Sequence, residues 1–125
     1  MGIKGVGVDI IEIDRIKEAV KKFGSDFLNK VFTDKEISYC SRRKALKYPE
    51  LAARFAAKEA YSKAIGKGIA GLGRKNNGVR WKDVEVINNS FGKPLFSIRG
   101  NISQNAHVSL SHSRDYAVAF VYVEE

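Results

Sequence analysis

FAAKEAYSKAIGKG, residues 55–68, has the alanine-rich texture of a helix, yet it sets an acid, Glu59, among the small residues where core is expected. Pro49 suits the first turn of such a helix and Gly66 its stop, so the spacing predicts a long helix from about residue 49 to 66. At about 100° per residue, Glu59 shares an arc with Ala52, Phe55, Ala56 and Lys63, away from Arg54, Lys58, Tyr61 and Ile65. That arc looks inward. A lone carboxylate costs several kcal/mol to bury, so a cation should meet it. Lys63 stands four residues on, in the favourable order for a helix ion pair worth about 0.2–0.5 kcal/mol. The pairing accounts for the charge but not for the alanines, which leave space for something other than side chains.

Working outward, IKGVGVDII at residues 3–11 alternates as a strand. Val6, Val8 and Ile10 take one face; Ile3, Gly5, Gly7, Asp9 and Ile11 take the other. Glycines beside an acid in a strand suggest that a ligand comes close to the backbone. An amphipathic helix follows near residues 12–23, with Ile13, Ile16, Val20 and Phe23 on one stripe, Arg15, Lys17, Lys21 and Lys22 on the other, and Gly24 as its stop. Thr33-Asp34-Lys35-Glu36 is a capping box that opens a helix expected to carry Arg42, Arg43, Lys44 and Lys47.

Beyond the long helix the texture changes to a glycine-rich basic loop through residues 69–80. Residues 66–71, GKGIAG, satisfy the glycine pattern of dinucleotide-binding turns, but they follow a helix instead of a strand, so only a capacity to touch phosphates through Lys67, Arg74 and Lys75 remains. WKDVEVI and KPLFSI then read as one hairpin, and HVSLSH and YAVAFVYV as a second around Ser113-Arg114-Asp115. Residues 117–123 are apolar on both faces, which predicts a central, covered strand. With helices early and strands late, the chain reads as α+β, a single domain over residues 1–125 with helices packed on a mainly antiparallel sheet.

The 125 residues are 44% hydrophobic and 29% charged, the texture of a globular chain. Single Cys40 implies no disulfide framework and falls on a predicted helix as a buried thiol. No apolar run reaches the roughly 20 residues of a membrane span and the N-terminus lacks a secretory pattern, so a cytoplasmic protein with no membrane partner is expected. Met1-Gly2 is no myristoylation site, because Val6 stands where that motif wants Ser or Thr. The net charge of +8, from 22 Lys and Arg against 14 Asp and Glu, attracts polyanions and acidic protein faces alike.

If the first strand packs on the long helix, Asp9 and Glu59 converge. At ~4 Å and an effective dielectric near 20 they would repel by about 4 kcal/mol, which a cation must relieve. Mg²⁺ takes one or two carboxylates and completes its shell with waters and phosphate oxygens, so the pair with Lys63 nearby outlines a metal–diphosphate site. Zinc is excluded by one cysteine and two histidines at no ligand spacing. His112, at a strand end beside a turn, is placed to reach a phosphate or move a proton. Ser111 and Ser113 form no dyad with it, since adjacent strand residues face opposite sides.

GVDIIEIDRI near the start, RFAAKEAYSKAIGKGI in the middle, GKP at 92–94 and VSLSHS near the end together resemble the holo-acyl-carrier-protein synthases, the short 4′-phosphopantetheinyl transferases, over nearly the whole chain. The resemblance implies that fold, and transfer of the phosphopantetheine arm of coenzyme A to a serine of an acidic apo acyl carrier protein, releasing adenosine 3′,5′-bisphosphate, for fatty acid biosynthesis. It implies Mg²⁺ on Asp9 and Glu59. Lys63 would neutralise the phosphate under attack and protonate the leaving group. His112 would contact the coenzyme phosphates, with Arg54, Ser62, Gly66, Gly68, Lys93, Pro94 and Ser111 along the coenzyme groove. Glu59 or a metal-bound water would deprotonate the serine. Arg15, with Lys21 and Lys22, would dock the carrier, and a homotrimer would place sites between subunits. The stretch GLGRKNNGVR, residues 71–80, is longer and more basic than the link such enzymes carry there. A small RNA-binding module is the competing reading of the charge; it needs aromatics on an open sheet and leaves the two acids unexplained, so no nucleic-acid partner is expected.

Overall fold

The computed structural model describes residues 2–67, 69–70 and 79–125. Strand β1 (Ile3–Glu12) leads into helices α1 (Ile13–Phe23), α2 (Ser25–Val31), α3 (Asp34–Cys40) and α4 (Tyr48–Ile65). Short strands β2 (Ile69–Ala70) and β3 (Val79–Arg80) pair in parallel. A 3₁₀ turn at Trp81–Asp83 then precedes β4 (Val84–Asn88), β5 (Pro94–Ile98), β6 (Asn101–Ile102), β7 (Ala106–His112) and β8 (Tyr116–Glu124). Two antiparallel three-stranded sheets result, ordered β1-β8-β7 and β4-β5-β6. The expected α+β fold, helices on mainly antiparallel sheet, is the one observed.

The long helix lies on the inner face of β1 and β8, and the contact explains the small residues on both sides. A Cβ added to Gly5 would stand 1.7 Å from the Ala64 carbonyl oxygen, and one added to Gly7 would stand 1.9 Å from that of Ala60. No side chain fits there. Ala56, Ala57, Ala60 and Ala64 are buried against Ala119, Val121, Val86 and Phe96. The glycines and alanines therefore serve the approach of helix to strand, and the expectation that they clear room for a ligand is corrected. A second core joins α1, α2 and α3 to the first half of α4 through Ile16, Val31, Phe32, Cys40, Leu51 and Trp81.

A sealed ion pair ties these layers together. Glu36 and Lys58 are each fully buried, with Nζ 2.7 Å from Oε1. Lys58 Nζ also donates to the carbonyls of Val31 and Trp81, both at 2.8 Å. Glu36 accepts from the backbone N–H groups of Val86, at 2.8 Å, and Thr33, at 2.9 Å, the latter completing the predicted capping box. Burial holds the Lys58 pKa below its ordinary value while Glu36 opposes that shift. Helical periodicity set Lys58 and Arg54 on an outward arc; both are buried because α4 is enclosed on nearly every side.

Other departures are local. Gly24, at φ 58°, turns the chain directly into α2, so the expected stop is a corner between two helices. The third helix ends at Cys40, and Arg42, Arg43, Lys44 and Lys47 follow it instead of riding on it, with Lys44 at φ 76°. Strand β8 is central, but only its inner face, Ala117, Ala119, Val121 and Val123, is covered. Phe120 on the outer face is 48% exposed, beside Val6, Val8 and Ile10 at 51–65%. No described helix is long and apolar enough to cross a membrane.

Candidate functional site

Asp9 points from β1 toward the helix side of the sheet, in register with Ala119 and, through it, Leu110. Glu59 comes to the same place from α4. Both line a cleft of about 290 Å³ that is closed by Arg15, Ile16 and Ala19 of α1 and by Phe27 and Phe55. The reversal from β1 into α1 is pinned by the Ile13 N–H donating to the Asp115 carbonyl at 2.9 Å, which fixes the wall that carries Arg15. Lys63 Nζ donates to Asp9 Oδ1 and to the Val8 carbonyl, each at 3.1 Å. The lysine side chain is 52% exposed and the aspartate 18%.

Among the described residues, no three His, Cys, Asp or Glu side chains gather as a metal cage. Two carboxylates on one open cleft beside an ammonium suit a hard cation that keeps water and takes substrate oxygens, and they do not suit a protein-enclosed ion. The donor set fits Mg²⁺.

A second cavity, about 490 Å³, lies on another side of α4, since Arg54 and Glu59 are five residues and about 140° apart on the helix. Arg54, Asn88, Lys93, Pro94, Val108 and Leu110 are among the residues that line it, with Tyr39 and Glu50 at one side. Arg54 is only 3% exposed; it donates to Asn88 Oδ1 at 2.7 Å and to the Glu50 carbonyl at 3.2 Å, and its Nε is buried with no protein partner. Its guanidinium sits 4.5 Å from the Tyr39 ring centroid, and Arg42, held by Glu50 at 2.7 and 3.1 Å, sits 3.8 Å from the same ring.

The remaining candidates are scattered around these two cavities. His112 is exposed at the end of β7 on the same sheet face as Asp9, two strands away, roughly 10 Å by strand spacing. Ser111 faces the other side of the sheet, opposite Val118. Ser62 is buried, and its hydroxyl donates to the Glu59 carbonyl at 2.7 Å, on its own helix. Gly66 takes the left-handed conformation, φ 74°, that ends α4. Gly68, Arg74, Lys75 and the rest of 71–78 lie outside the described residues. Lys21 and Lys22 are exposed near the end of α1, with Lys22 5.4 Å from the centroid of the Phe23 ring.

Sequence reasoning missed the Glu36–Lys58 pair, although the capping box already placed Glu36 at a helix start. The reading that residues 117–123 are covered on both faces also fails, because Phe120 is 48% exposed; Tyr116, next to the turn, is as exposed. That open face is still no RNA platform. Its cross-strand rows from Val6 to Glu12 pair aliphatic and aromatic residues with His107, Ser109 and Ser111, and contain no Lys or Arg for a phosphate backbone.

Residues 5–121 match the model of the 4′-phosphopantetheinyl transferase superfamily. The chain is 48% identical over 121 residues to the holo-[acyl-carrier-protein] synthase of Thermodesulfovibrio yellowstonii, covering 97% of this chain and 98% of that protein. It is 42% identical over 131 residues to the synthase of Halothermothrix orenii, covering 98% of each. Among solved structures, the Bacillus anthracis holo-(acyl-carrier-protein) synthase in complex with CoA (3′,5′-ADP) superposes with a TM-score of 0.80 at 38% identity, covering 98% of this chain and 97% of that one.

Proposed function

Because the chain belongs to the 4′-phosphopantetheinyl transferase superfamily, we propose that the Asp9–Glu59 cleft is where it acts on the diphosphate of coenzyme A. The chain transfers the phosphopantetheine arm of coenzyme A to a serine of apo acyl carrier protein, leaving adenosine 3′,5′-bisphosphate. The assignment of residues is carried by one observation: Asp9 and Glu59, 50 positions apart in sequence, line the same cleft while Lys63 is held on Asp9.

Asp9 and Glu59 would hold Mg²⁺, which when bound supplies positive charge to the diphosphate oxygens. Asp9 also keeps the Lys63 ammonium at the cleft, where it neutralises the phosphate under attack and gives its proton to the departing bisphosphate oxygen. Glu59 accepts the proton of the carrier's serine as its oxygen bonds to phosphorus and the bond to the leaving phosphate breaks. Arg15, on the cleft wall, with Lys21 and Lys22 further along α1, meets the acidic carrier. Arg54, Lys93 and Pro94 take the nucleotide end in the second cavity, with Ser62, Gly66, Gly68, Ser111 and His112 completing the coenzyme groove.

Two features support a trimer with sites between subunits. The coenzyme residues and the carboxylates open on different sides of α4, so one extended ligand reaches both most directly across two copies. The exposed Val6, Val8, Ile10 and Phe120 face is a contiguous apolar surface that a copy of the chain would cover. Fatty acid biosynthesis in the cytoplasm, by one domain spanning the chain, completes the reading.

The test is the mass of an apo acyl carrier protein incubated with coenzyme A, Mg²⁺ and this chain. A gain of one phosphopantetheine, abolished by chelator, is the expected result; no gain, or one indifferent to chelator, defeats the assignment of the metal site.

A further inference from the structure

The charges of the reaction cleft cancel. Asp9 and Glu59 supply two carboxylates, Arg15 lines the same cleft, and the Lys63 ammonium sits on Asp9. Among the described residues that line the cleft, no other side chain is charged. Two acids with two cations beside them hold a divalent ion poorly by themselves. A unit positive charge on the same carboxylate weakens the ion's hold by roughly tenfold at the dielectric of an open surface. The negative charge that restores it must come from a ligand, and a diphosphate carries it. The grip of Lys63 on Asp9 is also a loose one. Its Nζ donates to one oxygen of Asp9 and to the Val8 carbonyl, each at 3.1 Å, from a side chain that is half in solvent. An anion entering the open cleft competes with both acceptors for that ammonium, and a phosphate oxygen is a stronger acceptor than a backbone carbonyl.

We propose that the diphosphate of coenzyme A draws Lys63 off Asp9 and so hands that carboxylate to the metal. The cleft then binds a divalent cation weakly by itself and tightly once the coenzyme is seated, and Lys63 is the residue that couples the two events. The inference rests on the metal and coenzyme reading of this cleft and adds the order in which its parts fill. Because the coupling is a property of binding, it is measurable with no carrier protein and no turnover.

The experiment titrates Mn²⁺, which takes the same oxygen ligands as Mg²⁺, into the chain and counts the free ion by electron paramagnetic resonance. It is run without coenzyme A and with saturating coenzyme A, the uptake by coenzyme alone being subtracted. The parent should hold Mn²⁺ about tenfold more tightly with the coenzyme present. Without coenzyme, Lys63→Met should hold Mn²⁺ roughly tenfold more tightly than the parent, and should gain less when coenzyme is added. Lys63→Arg keeps the charge and should stay within about twofold of the parent. Asp9→Asn should bind weakly in both conditions. Equal affinity of the parent and Lys63→Met without coenzyme, or a parent indifferent to coenzyme, overturns the proposal. An Asp9→Asn chain that binds as the parent does overturns it together with the assignment of the metal to Asp9, whereas a loss in Asp9→Asn with no gain in Lys63→Met sinks the exchange alone.

Discussion

Helix α4 carries two lysines five residues apart, and each meets a carboxylate from a distant part of the chain. Lys58 reaches Glu36 at 2.7 Å with neither side chain exposed; Lys63 reaches Asp9 at 3.1 Å with the lysine half in solvent. The chemistry is the same and the surroundings are opposite. At the first pair every neighbour is protein: carbonyls of Val31 and Trp81 and the N–H groups of Val86 and Thr33 use up its hydrogen-bonding capacity. At the second, one side is a cleft. An ion pair closed on all sides has its geometry dictated by the fold and nothing left to offer a ligand, whereas one facing a cleft can exchange partners during a reaction.

The strongest way to break this contrast is to remove one partner of the closed pair. Lys58→Met strands the Glu36 carboxylate in the core and should cost about 3–5 kcal/mol of stability in urea unfolding. Adding Glu36→Gln removes the stranded charge but keeps an acceptor oxygen for only one of the Val86 and Thr33 N–H groups, which donate to different carboxylate oxygens, so part of that loss should return. A cost below about 1 kcal/mol for Lys58→Met would mean that the two pairs do not differ as their burial indicates.

At the open pair the expected damage is to rate and not to fold. Glu59→Gln changes no core packing, yet removes charge from the proposed metal and base position; a loss of about 3–4 kcal/mol of transition-state stabilisation slows transfer by roughly 10²- to 10³-fold. The melting temperature should fall far less than in Lys58→Met. Activity within a few-fold of the parent would remove Glu59 from the mechanism.

The closed region also has a pH signature. Burial pushes the Cys40 thiol up from 9.0 to about 11, against the pull of Arg54. In the unfolded chain the thiol ionises near its ordinary value, so between about pH 9 and 11 the unfolded state holds fewer protons than the folded one. Stability therefore falls as pH rises through that window, and is whole below it. Cys40 is 0% exposed, so the shift converts to about 2–3 kcal/mol. Unfolding of the parent and of Cys40→Ala, measured at pH 8 and pH 11, should show the parent losing that much more; parallel curves would refute the assignment.

The contrast also sorts what was legible in the residues alone. The meeting of Asp9 and Glu59 at one cleft was legible because strand alternation and the long helix's periodicity each turn a carboxylate toward the strand–helix seam, whereas Lys63, read on the same inward arc, is half in solvent. The burial of Lys58 was not legible, because periodicity assumes one wet side and α4 has scarcely any. The glycines and alanines were seen but misassigned: their size signals close approach, and only the sheet register and the 1.7 and 1.9 Å clashes identify the approaching body as helix instead of ligand. The corner at Gly24 escaped because seven residues are too few to display a helical period. The split of the candidate site into two cavities depends on the rotation of α4 against both sheets, which no local pattern encodes.

The smallest expected effect tests the rim of the open cleft. Arg15 is exposed and lines the cleft beside Asp9 and Glu59. If it meets an acidic carrier, Arg15→Ala should raise KM for the carrier only about three- to fivefold at low ionic strength, since exposed pairs contribute about 1 kcal/mol or less. At about 0.5 M salt the Debye length falls to a few ångströms and the difference between parent and variant should largely vanish. The Glu59→Gln defect acts on the reacting phosphate and should persist at every salt concentration. A salt-independent loss in Arg15→Ala would move that arginine from the docking rim to the chemistry, and the open cleft would then have four charged working groups in place of an acid pair and one lysine.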